Sequence, residues 1–177
     1  MSSTTISRPD WNAEIRMLVR ADTDAMVAHL QRLNRQDRVR RFGGQVSDQF
    51  LATYASMPRG HHTSALGCFH DGQMIGLGQL TLAANEAAEA AMTVDKDWRD
   101  QGVGTALLAR LAALSAAASA HRLQLLCMPL NLRLIHVARK FGATLKSRSG
   151  DLLIEFSVGQ TQVRDSDRQS GAADRRY

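Results

Sequence analysis

Apolar and polar residues alternate at period two over residues 14–20, where Ile15, Met17 and Val19 share one side, and this pattern predicts a half-buried strand. The period then lengthens. Met26, Val27, Leu30 and Leu33 recur at helical spacing behind Asp22, a residue suited to cap, so a helix is expected up to Asn34. Gly43-Gly44 breaks the chain, and Ser47 opens a second short helix with Phe50, Leu51 and Tyr54 on one side, stopped by Pro58-Arg59-Gly60. Two strand-like runs follow at residues 64–69 and 73–82, joined by Asp71-Gly72, a dipeptide that favours a tight hairpin turn. After the polar Ala84-Asn85-Glu86, residues 87–94 read as a third strand of the meander.

Helical spacing returns after Gly102, with Leu107, Leu108, Leu111 and Leu114 as an apolar stripe in an alanine-rich run expected to end near His121. Residues 123–128 form a compact apolar strand closed by Pro129. Asn131 can cap a further helix carrying Leu134, Val137, Ala138 and Phe141 inward and stopping at Gly142. Residues 143–146 and 152–158 make a final hairpin around Ser149-Gly150. The order is strand, two helices, three strands, helix, strand, helix, two strands. It predicts an α+β fold whose mostly antiparallel sheet carries helices on its faces and contains one parallel crossover. A single domain is expected over residues 14–158, preceded by a flexible segment 1–13 and followed by a tail, 159–177, whose mixed charges predict disorder.

Composition narrows the class. No apolar run approaches the ~18–20 residues of a membrane-spanning helix, and the polar start lacks the order of a secretory signal. Cys68 and Cys127 sit in apolar neighbourhoods, as reduced core thiols do, and a cytoplasmic address is expected. The net charge of +5 is carried almost wholly by arginine. Arg32, Arg35, Arg38, Arg40 and Arg41 cluster without interleaved aromatics to stack bases, so a solvated face is preferred over a nucleic-acid surface. His61-His62 lacks neighbouring carboxylate or cysteine ligands, and no metal is expected.

The chemistry concentrates in Arg99-Asp100-Gln101-Gly102-Val103-Gly104-Thr105, between a strand and a helix. Glycines there let backbone approach a ligand, and the free amides of a helix start attract an anion such as phosphate. The dinucleotide fingerprint fails because its third glycine position is Leu107. A nucleoside-triphosphate loop fails because Gly104 is followed by Thr105 and Ala106 instead of lysine and a hydroxyl residue.

From Val94 to Asn131 and on to Phe141-Gly142, the sequence resembles the GNAT superfamily of N-acetyltransferases, whose signature is Arg or Gln, two residues, Gly, one residue, then Gly or Ala. Arg99, Gly102 and Gly104 match it, and the element order over roughly residues 14–158 is that family's order. The resemblance implies that the amides of Arg99, Gln101, Gly102, Val103, Gly104 and Thr105 bind the pyrophosphate of acetyl-coenzyme A (acetyl-CoA), the acyl donor. It implies that strand 87–94 splays from strand 123–128 to admit the pantetheine arm, whose amides pair with main-chain groups at Met92 and Val94. Asn131 would offer its side chain to the cofactor, or act as a plain helix cap, or both. Glu89 is the candidate general base, placed where protein-acetylating members keep a glutamate, with Glu86 as competitor; an outward polar residue of a half-exposed strand is the other reading. Many members have a tyrosine for the leaving thiolate where this chain has Ala138, so the general acid is unassigned. His136 is on a different helix face, a poor stand-in.

The resemblance implies a primary amine as acceptor. Ile15-Arg16, Asp22, Leu33, Arg38 and Arg41-Phe42 look like the opening of the acetyltransferase domain of bacterial protein-lysine acetyltransferases, which makes a protein lysine the first expectation. The alternatives are a small-molecule amine and a non-catalytic acyl-CoA sensor, in a monomer or a homodimer.

Overall fold

The computed structural model describes residues 13–57, 62–83 and 87–158. Most of the expected N-terminal segment, the 159–177 tail, Pro58-Arg59-Gly60, His61 and Glu86 lie outside the described residues. The chain runs β1 (Ala13–Met17), α1 (Thr23–Arg32), α2 (Arg35–Phe42), α3 (Asp48–Ser56), β2 (Thr63–His70), β3 (Gln73–Leu82) and β4 (Ala87–Val94). It continues through α4 (Val103–Ala117), β5 (Arg122–Cys127), α5 (Leu132–Lys140), β6 (Thr144–Arg148) and β7 (Asp151–Ser157), with single 3-10 turns at Arg20–Asp22 and Lys96–Trp98. The strands form one seven-stranded sheet in the order β1-β2-β3-β4-β5-β7-β6. Every neighbouring pair is antiparallel except β4 and β5, which α4 connects. The fold class is the one expected.

Each face of the sheet buries its own cluster. On one, Val103, Leu107, Leu108 and Leu111 of α4 pack with Leu66, Cys68, Ile75, Ala88 and Ala90, and Ile135 and Ala138 of α5 join them. On the other, Met26 and Leu30 of α1 and Leu51 and Ala55 of α3 pack with Ala65, Phe69, Met74 and Leu77. Strict alternation would not place Met74 and Leu77 on one face. The register shifts between Cys68 and Phe69, where β3 carries the extra residue Ile75, and this bulge reverses the parity. Asp71 and Gly72 take φ of 47° and 77°, the left-handed pair of the expected hairpin turn.

Three expectations need correction. Residues 35–42 form a helix of their own, α2, so three helices and not two precede β2. None of its residues is buried, which leaves no apolar stripe to signal it. The arginine cluster is a solvated face only in part, since Arg32 and Arg35 are exposed but Arg38, Arg40 and Arg41 are half-buried. Arg32 binds Asp95, Arg38 donates to the Leu33 and Gln31 carbonyls, and Arg41 donates to the Tyr54 hydroxyl and to Gln79 Oε1. Asp22 does not cap α1 through its side chain. Its carboxylate instead accepts from the Val19 amide at 2.8 Å and from Arg16 at 2.7 and 2.8 Å, tying the end of β1 to the start of α1.

Candidate active site

β4 and β5 pair only from Ala87↔Arg122 to Glu89↔Gln124. Beyond that point the parallel ladder stops, although β4 keeps its partner β3 as far as Gly76↔Val94. The fork opens a cleft of about 670 Å³ lined by Ala90 to Val94 on one side and Leu125 and Leu126 on the other. The head of α4 closes one end, α5 flanks it with Leu134, His136 and Val137, and α2 contributes Asp37, Arg40 and Arg41.

The head of α4 is shaped by its glycines. Gly102 has φ 92°, a left-handed conformation that costs a residue with a Cβ, and Asp100 before it also has positive φ, 61°. Ala106 makes the first helical bond back to the Gly102 carbonyl, so the amides of Val103, Gly104 and Thr105 are those a helix start leaves without an internal partner. A Cβ on Gly104 would lie 3.3 Å from Met92 Cε and 3.8 Å from Val94 Cγ2, so glycine permits this close approach of helix to strand.

Of the residues expected to hold the cofactor, Met92, Val94, Arg99, Gly102, Gly104, Thr105 and Asn131 line this cleft. Gln101 is exposed and donates to the Asp97 carbonyl at 2.6 Å; Val103 buries its side chain fully in the core. The Arg99 amide already bonds the Lys96 carbonyl at 3.3 Å. Its guanidinium is a strut, donating to the Val94 carbonyl at 3.2 Å and to Asp37 at 2.7 Å, and so fixing α2 to the end of β4. Asn131 caps α5, its side-chain oxygen accepting from the Leu134 amide at 3.4 Å. Glu89 stands exposed on β4, opposite Thr81 and Gln124, outside the residues that line the cleft.

Sequence reasoning missed a buried polar chain beside the cleft. His29 of α1 is fully buried, and its Nε2 lies 2.8 Å from the Thr93 hydroxyl of β4. Its Nδ1 lies 2.9 Å from Asp95 Oδ1, off the line of an ideal hydrogen bond, and neither atom has another partner among the described residues. Arg32 donates to Asp95 Oδ2 at 2.7 and 2.9 Å. Burial pulls the Asp95 pKa up, but the hydrogen bonds and charges of His29 and Arg32 outweigh it and hold the carboxyl below its usual value. Among the described residues there is no cluster of metal-ligating groups, and no helix is long and apolar enough to cross a membrane.

A mixed sheet forked at its one parallel pair, with a glycine-headed helix at the fork, defines the acetyltransferase architecture. The chain belongs to the acetyltransferase (GNAT) family, whose model matches residues 26–143. Comparison with curated proteins gives no match. The chain is similar in structure to the GNAT domain of S. lividans PAT, with TM-score 0.73 and 21% identity, covering 82% of this chain and 90% of that one. It is also similar to a GNAT superfamily phosphinothricin acetyltransferase from Sinorhizobium meliloti in complex with AcCoA, with TM-score 0.67, 18% identity and coverage of 83% and 89%. A third similar structure is the PaiA N-acetyltransferase from Thermoplasma acidophilum in complex with coenzyme A, with TM-score 0.64, 16% identity and coverage of 82% and 99%.

Proposed function

We propose that this protein moves an acetyl group from acetyl-CoA to a primary amine by direct transfer, with a protein lysine as acceptor and the cytoplasm as its place of work. The observation that carries the reading is the head of α4, set against the open side of β4 with no Cβ at Gly104 to fill the gap. The amides of Val103, Gly104 and Thr105 and the positive helix end would take the pyrophosphate, with Gln101 and Gly102 completing the turn. Main-chain groups of Met92 and Val94 would meet the pantetheine arm where β4 has left β5, and Asn131 would add a polar contact from the other wall. Acetyl-CoA, when bound, supplies an activated thioester carbonyl.

The chain's own residues then manage protons. A lysine ammonium, with pKa ~10.4, must shed one proton before it can attack. Glu89, exposed on β4 two residues before cleft-lining Ala91, is the proposed base for that step. Glu89→Gln is expected to lower turnover with little change in acetyl-CoA affinity, and unchanged turnover removes Glu89 from the mechanism. The reading as a whole is tested by incubating the purified chain with acetyl-CoA and a panel of proteins and small amines, then measuring mass. A gain of one acetyl group on a lysine supports it. Acetylation confined to small amines moves the acceptor to that class, and no transfer to any amine leaves a sensor and refutes the enzyme.

A further inference from the structure

Three polar side chains from separated parts of the sequence meet beside the cleft: Thr93 in its wall, His29 fully buried behind it, and Asp95 behind that. We propose that Thr93, His29 and Asp95 form a proton relay, in which the Thr93 hydroxyl touches the reacting amine and His29 takes up the proton through it. The proposal rests on the amine-acetyltransferase reading above and fills the general-acid role that Ala138 leaves open.

The direction of the relay follows from charge. Arg32 donates twice to Asp95 Oδ2, which keeps that carboxylate ionised, and its Oδ1 sets negative charge 2.9 Å from His29 Nδ1, off the line of a hydrogen bond but favouring the ring proton on that nitrogen. With the ring proton on Nδ1, Nε2 can only accept, and the hydrogen of the 2.8 Å contact belongs to the Thr93 hydroxyl. Among the described residues, the charged groups that share the cleft with Thr93 are Asp37, Arg40 and Arg41 of α2, Arg99, Asp100, Arg133 and Lys140. β3 and α3 turn apolar Met74, Leu77, Leu51 and Ala55 toward α1, and the nearest acid on α2, Asp37, is paired with Arg99 and Arg40.

The step balances as follows. The neutral amine attacks the thioester carbonyl carbon and the C–N bond forms; its surplus proton passes to Thr93 Oγ1 while the hydroxyl's own proton moves to His29 Nε2. The C–S bond breaks with its electron pair on sulfur, and the imidazolium returns its proton through Thr93 to the thiolate. The cycle consumes no other reactant. Asp95 stands behind the His29 ring in the order in which carboxylates stand behind histidines used for acid–base work.

A merely structural stitch between α1 and β4 makes different predictions. If the relay operates, Thr93→Val lowers kcat about 10²-fold, the lower end of typical acid–base contributions, with acetyl-CoA affinity unchanged. Thr93→Ser restores most of the loss. In the ligand-free protein, the histidine ¹⁵N spectrum places the His29 ring proton on Nδ1. A ring proton on Nε2, or a Thr93→Val enzyme with wild-type kcat, overturns the relay while leaving the acetyltransferase reading intact. Absence of transfer by the wild-type chain overturns that reading first and the relay with it.

Discussion

Gly102 and Gly104 act at the head of α4 for different reasons, and substitution separates them. Gly102 holds φ 92°, so Gly102→Ala forces a left-handed alanine and should cost about 1–2 kcal/mol, read as a lower midpoint in urea. Gly104 has ordinary helical backbone but stands where a Cβ would lie 3.3 Å from Met92 Cε. Gly104→Val should push α4 off β4 and weaken binding of coenzyme A species at least tenfold with a smaller stability loss; unchanged affinity would contradict the cradle. Burial pushes the Cys68 thiol up to about 11, and burial together with Asp151 raises that of Cys127. The native protein should therefore leave a thiol reagent unreacted at pH 8 and titrate two thiols only after unfolding. The glycines were legible because their spacing is local. His29, Thr93 and Asp95 were not, because a single histidine in an apolar stripe and a threonine in an alanine-rich strand carry no spacing signal. They meet only when α1 lies across β4, joining residues 64 positions apart.

The element that escaped the sequence is α2, and its construction explains why. Hydrophobic periodicity finds helices that bury a face, whereas α2 buries no residue and is held by polar bonds. Its ends did carry signals: Asn34 caps the helix by accepting from the Asp37 amide at 2.9 Å, and Gly43 follows it at φ 75°. Asn34→Ala should cost about 1 kcal/mol, measurable by urea unfolding. The Arg99 strut links α2 to β4, so Arg99→Met should speed hydrogen exchange of α2 amides while those of α4, whose Leu107, Leu108 and Leu111 are fully buried, stay protected. Equal protection of α2 in the variant would show that the strut does not hold it. The hairpin strands were readable because Asp71-Gly72 marks the turn that opens Gln73–Leu82, while the bulge at Ile75, a non-local feature of pairing, left no mark in the pattern.

At the scale of the whole molecule, the order of elements sufficed for a mostly antiparallel sheet because most of the helices and strands, though not α2 or β6, bury an apolar set, and the fork at Glu89↔Gln124 followed only from the resemblance. Two carboxylates link the fold to pH. Hydrogen bonds from Lys146 and Gln124 lower the pKa of Glu155, and His29 and Arg32 hold Asp95 low despite its burial. A carboxyl lowered on folding adds stability that is fully present above its unfolded value, ~3.9–4.3, and disappears as pH falls through the folded value. Stability should thus be flat above that range and decline below it, and Asp95→Asn should flatten the decline. The central claim concerns the head of α4 and the fork it faces. Calorimetric titration of the full chain with acetyl-CoA tests it most directly: one saturable site, weakened by Gly104→Val, is the expected result, and a folded wild-type chain that gives no heat with any coenzyme A species would contradict it.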